Sequence, residues 1–329
     1  MTPVVRPLHA EPSKLARDAD VVAPRLLRAA GDTKTEYVRR RSPLPELAYL
    51  APTSPEEAAR ALVSAGSRPL SGGTDLLVQL RAGRVKPDVI VDLKKITGAI
   101  GVREESGGFV IGAATSGAVL GEHAGLVRAW PGVVEGANLI GSTQVQGRAS
   151  LGGNLCNGSP AADGVPALIA ARATCVIVGP NGRREAPVES IVTGPGKTSL
   201  AVGEFVLEFR LPARPARASD AYLRLIPRTE MDIAVAGVGV NLVLDAGGVV
   251  THAHVAIGAV APTALLVAEA GAALVGGKLD EARLAAMEAA VRAACKPISD
   301  KRGTAEYRTK IAGVLARRAV LIAYHRAGA

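Results

Sequence analysis

Apolar residues recur along this 329-residue chain in short blocks, each long enough for one strand or one helix. None reaches the ~18 residues that a membrane span requires. The first strong signal is Ser54-Pro55-Glu56-Glu57. Ser54 reads as an N-cap, Pro55 as the first helical residue and Glu57 as the closing member of a capping box. This predicts a helix from 55 to near Gly66. A strand over 68–71, a helix over 75–82 and a buried strand over 87–93, with Val89-Ile90-Val91 at its centre, complete a β–turn–α–β lobe at 46–100.

Strands at 109–113 and 204–211 and helices at 116–129, 131–139 and 165–173 make up a second lobe, 101–215. A hairpin of 175–178 with 183–188 turns at Pro180-Asn181-Gly182. Pro212-Ala213-Arg214-Pro215 then punctuates the chain. Beyond it, 222–226, 233–244 and 249–259 read as strands and 262–275, 280–295 and 302–327 as helices. Strands followed by helices predict an α+β domain at 216–329, a three-stranded antiparallel sheet with helices on one face. Residues 1–45 show little periodicity outside a helical stretch at 13–30 and read as an N-terminal extension.

Composition narrows the function classes. Hydrophobic residues are 48% of the chain but aromatics only 3%, so the core packs small side chains. The net charge of +9 suggests a nucleic-acid partner until it is located. Residues 1–44 hold nine Lys/Arg against five Asp/Glu, residues 300–329 seven against two, and 45–299 balance. The excess belongs to the two ends, including Arg39-Arg40-Arg41, and not to a DNA-reading face. Three distant cysteines, Cys156, Cys175 and Cys295, make neither a disulfide framework nor a four-thiolate cluster. With no signal peptide at the N-terminus, they point to a reducing cytoplasm.

Several motifs lead nowhere. Gly194-Pro195-Gly196-Lys197-Thr198 imitates the end of a P-loop, but Ile191 occupies the place of its first glycine. Gly237-Val238-Gly239 opens like a dinucleotide fingerprint, yet Leu242 stands where the third glycine belongs. His252 and His254 alternate on a strand without a third ligand and read as surface histidines. No Ser-His-Asp grouping, spaced acid pair or basic–aromatic interleaving supports hydrolysis or RNA binding.

Two Gly-rich stretches remain. Residues 140–163 are small and polar between apolar runs, and Gly152 and Gly153 leave backbone amides open to a ligand. Ser150, Asn154, Ser159 and Asp163 offer fixed hydrogen bonds beside them. Ser71-Gly72-Gly73-Thr74-Asp75 forms the second stretch. Two such loops, roughly eighty residues apart, suit a long ligand with a phosphate waist, such as a dinucleotide.

Pro69-Leu70-Ser71-Gly72-Gly73-Thr74-Asp75-Leu76-Leu77, followed by Ser150-Leu151-Gly152-Gly153-Asn154-Leu155-Cys156-Asn157-Gly158-Ser159-Pro160-Ala161-Ala162-Asp163, resembles the FAD-binding medium subunits of the molybdenum hydroxylases. Xanthine dehydrogenase and aerobic carbon monoxide dehydrogenase belong to that family. The resemblance runs from about 46 to 327. It includes Tyr222, Arg228, Met231-Asp232-Ile233-Ala234 and Arg302-Gly303-Thr304-Ala305-Glu306-Tyr307-Arg308. It implies a two-lobed FAD-binding domain similar to the vanillyl-alcohol-oxidase type, plus the C-terminal α+β domain.

By matching position, the resemblance implies that Ser71, Gly72, Gly73, Thr74 and Asp75 wrap the pyrophosphate with backbone amides, with Leu70 and Leu76 beside them also binding the cofactor. Ser150, Gly152, Gly153 and Asn154 would face them, with Ile140 near the adenine and Asp163 on polar groups of the cofactor. Leu207 and Ile233 match positions packed against the isoalloxazine, and Arg224 stands where the family usually has Lys. Gln146 replaces an Arg common in relatives, and the N-terminal extension lacks a counterpart in most of them. No cysteine-bearing insertion is present, so the extra cluster of the benzoyl-CoA-reducing branch is not expected.

The implied function is that of a flavin subunit holding non-covalent FAD. A molybdenum-cofactor large subunit would oxidise the substrate, and a small subunit with [2Fe–2S] clusters would relay electrons, in a dimer of heterotrimers. The electrons would leave this chain to NAD⁺, quinone or O₂. The chain would then act by binding and orientation, which agrees with its lack of an acid–base constellation. The alternatives are a stand-alone flavin oxidoreductase of the same superfamily and a non-catalytic dinucleotide-binding assembly factor.

Overall fold

The computed structural model of the protein describes residues 47–328; the extension, with its expected helix at 13–30, lies outside them. The chain enters on β1 (Ala48–Leu50) and α1 (Pro55–Ala61). Ser54 Oγ accepts from Glu57 N at 3.2 Å while the Glu57 carboxylate accepts from Thr53 N at 3.2 Å. Ser54 therefore caps the helix as expected, while Glu57 reaches one residue beyond the cap, to Thr53 N, and α1 stops five residues short of Gly66. Residues 62–66 are needed to turn the chain into β2 (Ser67–Leu70), and Ser64 O accepts from Ser67 N at 2.9 Å. After α2 (Leu76–Arg81) and β3 (Val89–Asp92), the three strands form a parallel sheet in the order β1-β3-β2.

The second lobe opens with β4 (Val102–Glu105) and β5 (Gly108–Gly112). β4 has no counterpart in the sequence reading because an exposed edge strand of Val-Arg-Glu-Glu carries no apolar alternation. The helix expected over 116–129 is two, α3 (Gly117–Glu122) and α4 (Ala124–Ala129). His123 divides them, its Nδ1 accepting from Leu126 N at 3.0 Å and so capping the second. α5 (Pro131–Asn138) follows, and the stretch expected to be all loop contains α6 (Thr143–Gln146) and α7 (Leu151–Cys156).

α8 (Gly164–Ala170) leads to β6 (Thr174–Gly179), β7 (Gly182–Pro187), β8 (Val192–Gly194), β9 (Lys197–Thr198) and β10 (Phe205–Leu211). The antiparallel order is β4-β5-β10-β6-β7. The P-loop imitation at 194–198 spans the turn of the small β8–β9 hairpin.

The last third holds β11 (Ala218–Leu225), β12 (Ala236–Leu244), β13 (Val250–Gly258) and β14 (Leu265–Leu266). They are followed by α9 (Ala268–Leu274), α10 (Glu281–Ala294) and α11 (Ala305–Gly328). The sheet has four strands, not three. Leu265 and Leu266, expected inside a helix, instead pair with Ile257 and Ala256 and close the free edge of β13. Two residues are too few to show a period, and only that edge decides their conformation.

Three apolar clusters result. One lies between the C-terminal sheet and α9–α11, around Val238, Val255, Met287 and Val320. Another surrounds Leu126, Trp130, Leu168 and Phe209 in the second lobe. The third joins the lobes, since Ala58 and Val91 of the first pack with Phe205 and Leu207 of the second. α8 lies directly on β12: a Cβ on Gly239 would come within 2.5 Å of Pro166 O. Gly237-Val238-Gly239 is thus a run of strand that admits a helix backbone.

Candidate functional site

The loop after β2 and the residues around the start of α7 bound a cleft of about 440 Å³. Ser150 is the N-cap of α7, its Oγ accepting from Gly153 N at 3.2 Å, and the same oxygen lies 2.7 Å from Ser71 Oγ. The two backbones touch here, because a Cβ on Gly72 would sit 1.8 Å from Arg148 O. Gly73 has φ +80°, a left-handed conformation that turns the chain toward α2.

That geometry commits few of the loop's own donors. Among the described residues, the amides from Gly72 to Leu76 have no acceptor, and pairing resumes with Leu77 N on Gly73 O at 3.0 Å. α2 also lacks a side-chain cap. Consecutive open N–H groups form a concavity suited to an anion. Lys94 braces the loop, its Nζ donating to Ser71 O at 2.9 Å and to Asp92 Oδ1 at 2.6 Å. Tyr49 donates its hydroxyl to the other oxygen of Asp92.

A second clasp crosses the cleft. Asn157 Nδ2 donates to Asp75 Oδ1 and Gln79 Nε2 to Asn157 Oδ1, each at 3.3 Å. Burial raises the Asp75 carboxyl above its ordinary pKa. Cys156 also lines the cleft, but burial pushes its thiol up to about 12, which leaves it a packing group with no nucleophilic role. Leu93, Ala113, Ala114, Phe205 and Val206 supply apolar walls. The cleft therefore fits a dinucleotide: open amides for the diphosphate and apolar walls for rings.

Residues 45–214 match the family described as "FAD binding domain in molybdopterin dehydrogenase". Residues 221–323 match "CO dehydrogenase flavoprotein C-terminal domain". The carbon monoxide dehydrogenase medium chain of Hydrogenophaga pseudoflava is 36% identical over 286 residues, 86% of this chain and 98% of its own. This chain belongs to the FAD-binding medium subunits of the molybdenum hydroxylases.

The match extends to other members of that family. A xanthine dehydrogenase FAD-binding subunit of Escherichia coli O157:H7 is 30% identical, over 79% of this chain and 89% of its own. The corresponding chain in the structure of reconstituted CO dehydrogenase from Oligotropha carboxidovorans superposes with a TM-score of 0.81. It shares 35% identity over 85% of this chain and 98% of its own. The protein is accordingly an FAD-dependent oxidoreductase subunit of this family.

Of the residues the sequence singled out in the medium subunit, Ser71 to Leu76, Ile140, Ser150, Gly152, Gly153 and Asn154 line the cleft. Asn154 Oδ1 also accepts from Gly164 N at 2.9 Å, so this side chain ties α7 to α8. The structure does not bring Leu70, Asp163, Leu207, Arg224 or Ile233 into the lining. Leu70 lies beneath Gly73, and Leu207 is 2% exposed in the core between the lobes. Ile233, on the loop before β12, is 52% exposed.

Both oxygens of Asp163 are taken. Tyr222 Oη donates to one at 2.9 Å and Arg224 Nη1 to the other at 2.6 Å. Burial pushes the Asp163 carboxyl up to about 6, against the pull of Arg224 and Tyr222 toward the charged form. This buried triad joins the start of α8 to β11, linking the FAD-binding domain to the C-terminal sheet.

Gln79 and Asn157, which line the cleft, and Lys94, which braces its loop, escaped the sequence reading. Lys94 had a usable signal. In a parallel sheet the carboxyl ends of neighbouring strands lie side by side, so a residue just past β3 faces the loop just past β2. Among the described residues no cluster of His, Cys, Asp or Glu could hold a metal, and no helix is long and apolar enough to cross a membrane.

Proposed function

We propose that this chain holds one non-covalent FAD in the cleft between the 71–76 loop and α7. It would serve as the electron-exit subunit of a heteromeric molybdenum hydroxylase. The observation that carries the cofactor site is the run of uncommitted amides from Gly72 to Leu76 beside Lys94. FAD, when bound, supplies exchange between one-electron donors and two-electron acceptors. The chain's residues bind and orient it. The amides of 72–76 would hold the diphosphate, Lys94 would brace their loop through Ser71 O, Ser150 and Ser71 set the distance between the loops, and Asn157 with Asp75 and Gln79 closes over the cleft. Apolar walls at Ala113, Phe205 and Val206 exclude water from the ring systems.

The relatives are medium chains and FAD subunits of multi-subunit enzymes, which supports partners of two kinds: a large molybdenum-cofactor subunit and a small [2Fe–2S] subunit. We infer a dimer of such heterotrimers in a reducing, cytoplasmic compartment, with the FAD-binding domain at 46–215 and the α+β domain at 216–329. Substrate oxidation belongs to the large subunit on this reading.

The test is purification of the chain alone and with those two partners, measuring flavin, iron and molybdenum together. The chain alone is expected to carry FAD without metal and to leave hydroxylase substrates untouched, whereas the complex bleaches its flavin with substrate. Turnover by the isolated chain would overturn the subunit reading, and FMN in place of FAD would overturn the cleft assignment.

A further inference from the structure

The peptide between Ser71 and Gly72 sets the direction of the first open amide in the 71–76 loop. A trans peptide is planar, and its carbonyl and its following N–H point to opposite sides. Lys94 Nζ holds Ser71 O at 2.9 Å, so the Gly72 N–H is turned the other way, where it meets no acceptor among the described residues. The local sequence does not enforce this orientation. Gly72 and Gly73 are consecutive, and glycine backbone tolerates either sense of that peptide. Reversed, the peptide would present a carbonyl oxygen where the amide now stands, and that oxygen would repel an anion.

Lysine is a loose fixture by itself, a point charge on a flexible four-carbon stem. Here Asp92 fixes it. Asp92 Oδ1 accepts from Lys94 N at 3.0 Å and from Lys94 Nζ at 2.6 Å, so one oxygen grips both ends of the residue. Asp92 Oδ2 accepts from the hydroxyl of Tyr49 on β1. Strand order makes the meeting possible: β3 lies between β1 and β2, and Asp92 ends β3 beside Leu70, which ends β2. Asp92 is 5% exposed. Burial opposes its charge, but Lys94 and Tyr49 together outweigh burial and hold the carboxyl below its ordinary pKa. Tyr49, Asp92 and Lys94 all lie outside the lining of the cleft.

We propose that Asp92 is a positioning residue for the flavin, which keeps Lys94 on Ser71 O and thereby keeps the Ser71–Gly72 peptide turned with its amide toward the diphosphate. Tyr49 locks the carboxylate from the far side, so the brace crosses all three strands of the parallel sheet. The proposal rests on the FAD reading of the cleft. A carboxylate that served only to cap the short 3₁₀ turn at Leu93–Lys95 would stabilise the fold and leave the peptide's orientation alone. The two roles differ in whether the effect on flavin passes through Lys94.

The test is a double-mutant cycle on the full chain. Parent, D92A, K94M and the D92A/K94M double variant are stripped of flavin and titrated with FAD, at a temperature where circular dichroism shows each apoprotein folded. Residues that act as one unit couple in such a cycle, whereas independent residues add in free energy. Each single substitution is expected to weaken FAD about tenfold and the double about tenfold as well, not about a hundredfold. D92N keeps the shape and one carbonyl acceptor, so it should recover part of the loss, and it carries the same cycle where D92A does not fold. Y49F leaves the grip on Lys94 intact and should cost less than D92A.

A double variant weakened about a hundredfold would show that Asp92 acts independently of Lys94 and would overturn the proposal. Unchanged FAD affinity in D92A and D92N, or in K94M, overturns it equally. In those cases the cleft assignment stands as long as the parent binds FAD and G73V does not. A parent chain that binds no FAD removes the cofactor reading itself, and this proposal with it.

Discussion

The hydroxyl oxygens of Ser71 and Ser150 lie 2.7 Å apart although 79 residues separate them. One belongs to the turn after a parallel strand and the other is the N-cap of a helix in the second lobe. Their contact fixes the spacing of the two Gly-rich segments. With Gly72 against Arg148 O, it leaves the amides of 72–76 facing the cleft and not each other.

Gly73→Val is expected to remove flavin with little loss of secondary structure. A branched residue at φ +80° costs about 1–2 kcal/mol, and its Cβ would press on Leu70 Cδ1 at 3.1 Å and Leu77 Cδ1 at 3.2 Å. The loop must then rearrange. Flavin-to-protein ratio and far-UV circular dichroism check this; full flavin content in the variant contradicts the role given to the loop.

Lys94→Met removes the ammonium that holds Ser71 O and so braces the loop bearing the open amides. Hydrogen bonds to charged groups are worth about 1.5–3 kcal/mol, and this half-buried side chain belongs at the low end. FAD should bind about tenfold more weakly, equivalent to about 1.4 kcal/mol. Its affinity should also depend less on salt. Equilibrium titration of the apoprotein at two ionic strengths measures both effects, and unchanged affinity would release Lys94 from the site.

Asp163→Ala leaves the Arg224 guanidinium, 6% exposed, without its carboxylate. Breaking a buried pair from one side costs about 3–5 kcal/mol, whereas replacing both partners by apolar residues is often near neutral. Thermal unfolding should therefore show a large loss for Asp163→Ala and substantial recovery in Asp163→Leu/Arg224→Met. Flavin content should follow stability in both. Loss of flavin from a variant of normal stability would place Asp163 in direct contact with the cofactor after all.

Asp232 anchors the loop that carries Met231 and Ile233. It accepts from Arg302 Nε at 3.0 Å, from Ile233 N at 2.8 Å and from Arg228 Nε at 3.1 Å, and these donors lower its carboxyl to about 2. The native chain thus binds this proton less readily than the unfolded chain. The carboxylate's stabilising contribution is complete above about pH 4 and disappears as pH falls through about 2. Asp232→Asn should be less stable than the parent at pH 7, and the difference should shrink between pH 4 and pH 2. Urea melts across that range test it, and a gap independent of pH would point to steric damage.

Much of this architecture is written within a few consecutive residues. The helix cap at Ser54, the hairpin turn at Pro180-Asn181-Gly182 and the two Gly-rich stretches are local signals. Their physical basis is a cap, a turn or bare backbone, and none needs a distant partner. The order of those stretches, with the family motifs around them, was enough to indicate the FAD-binding subunit and a C-terminal α+β domain. The tertiary structure decided what depends on meetings across the chain. It set β14 on the edge of β13, split the helix at His123, put Lys94 under Ser71 and turned Asp163 toward Tyr222 and Arg224. A side chain's neighbours follow from strand order and from close approaches such as Gly239 on Pro166, and a one-dimensional pattern of apolar and polar positions holds no record of either.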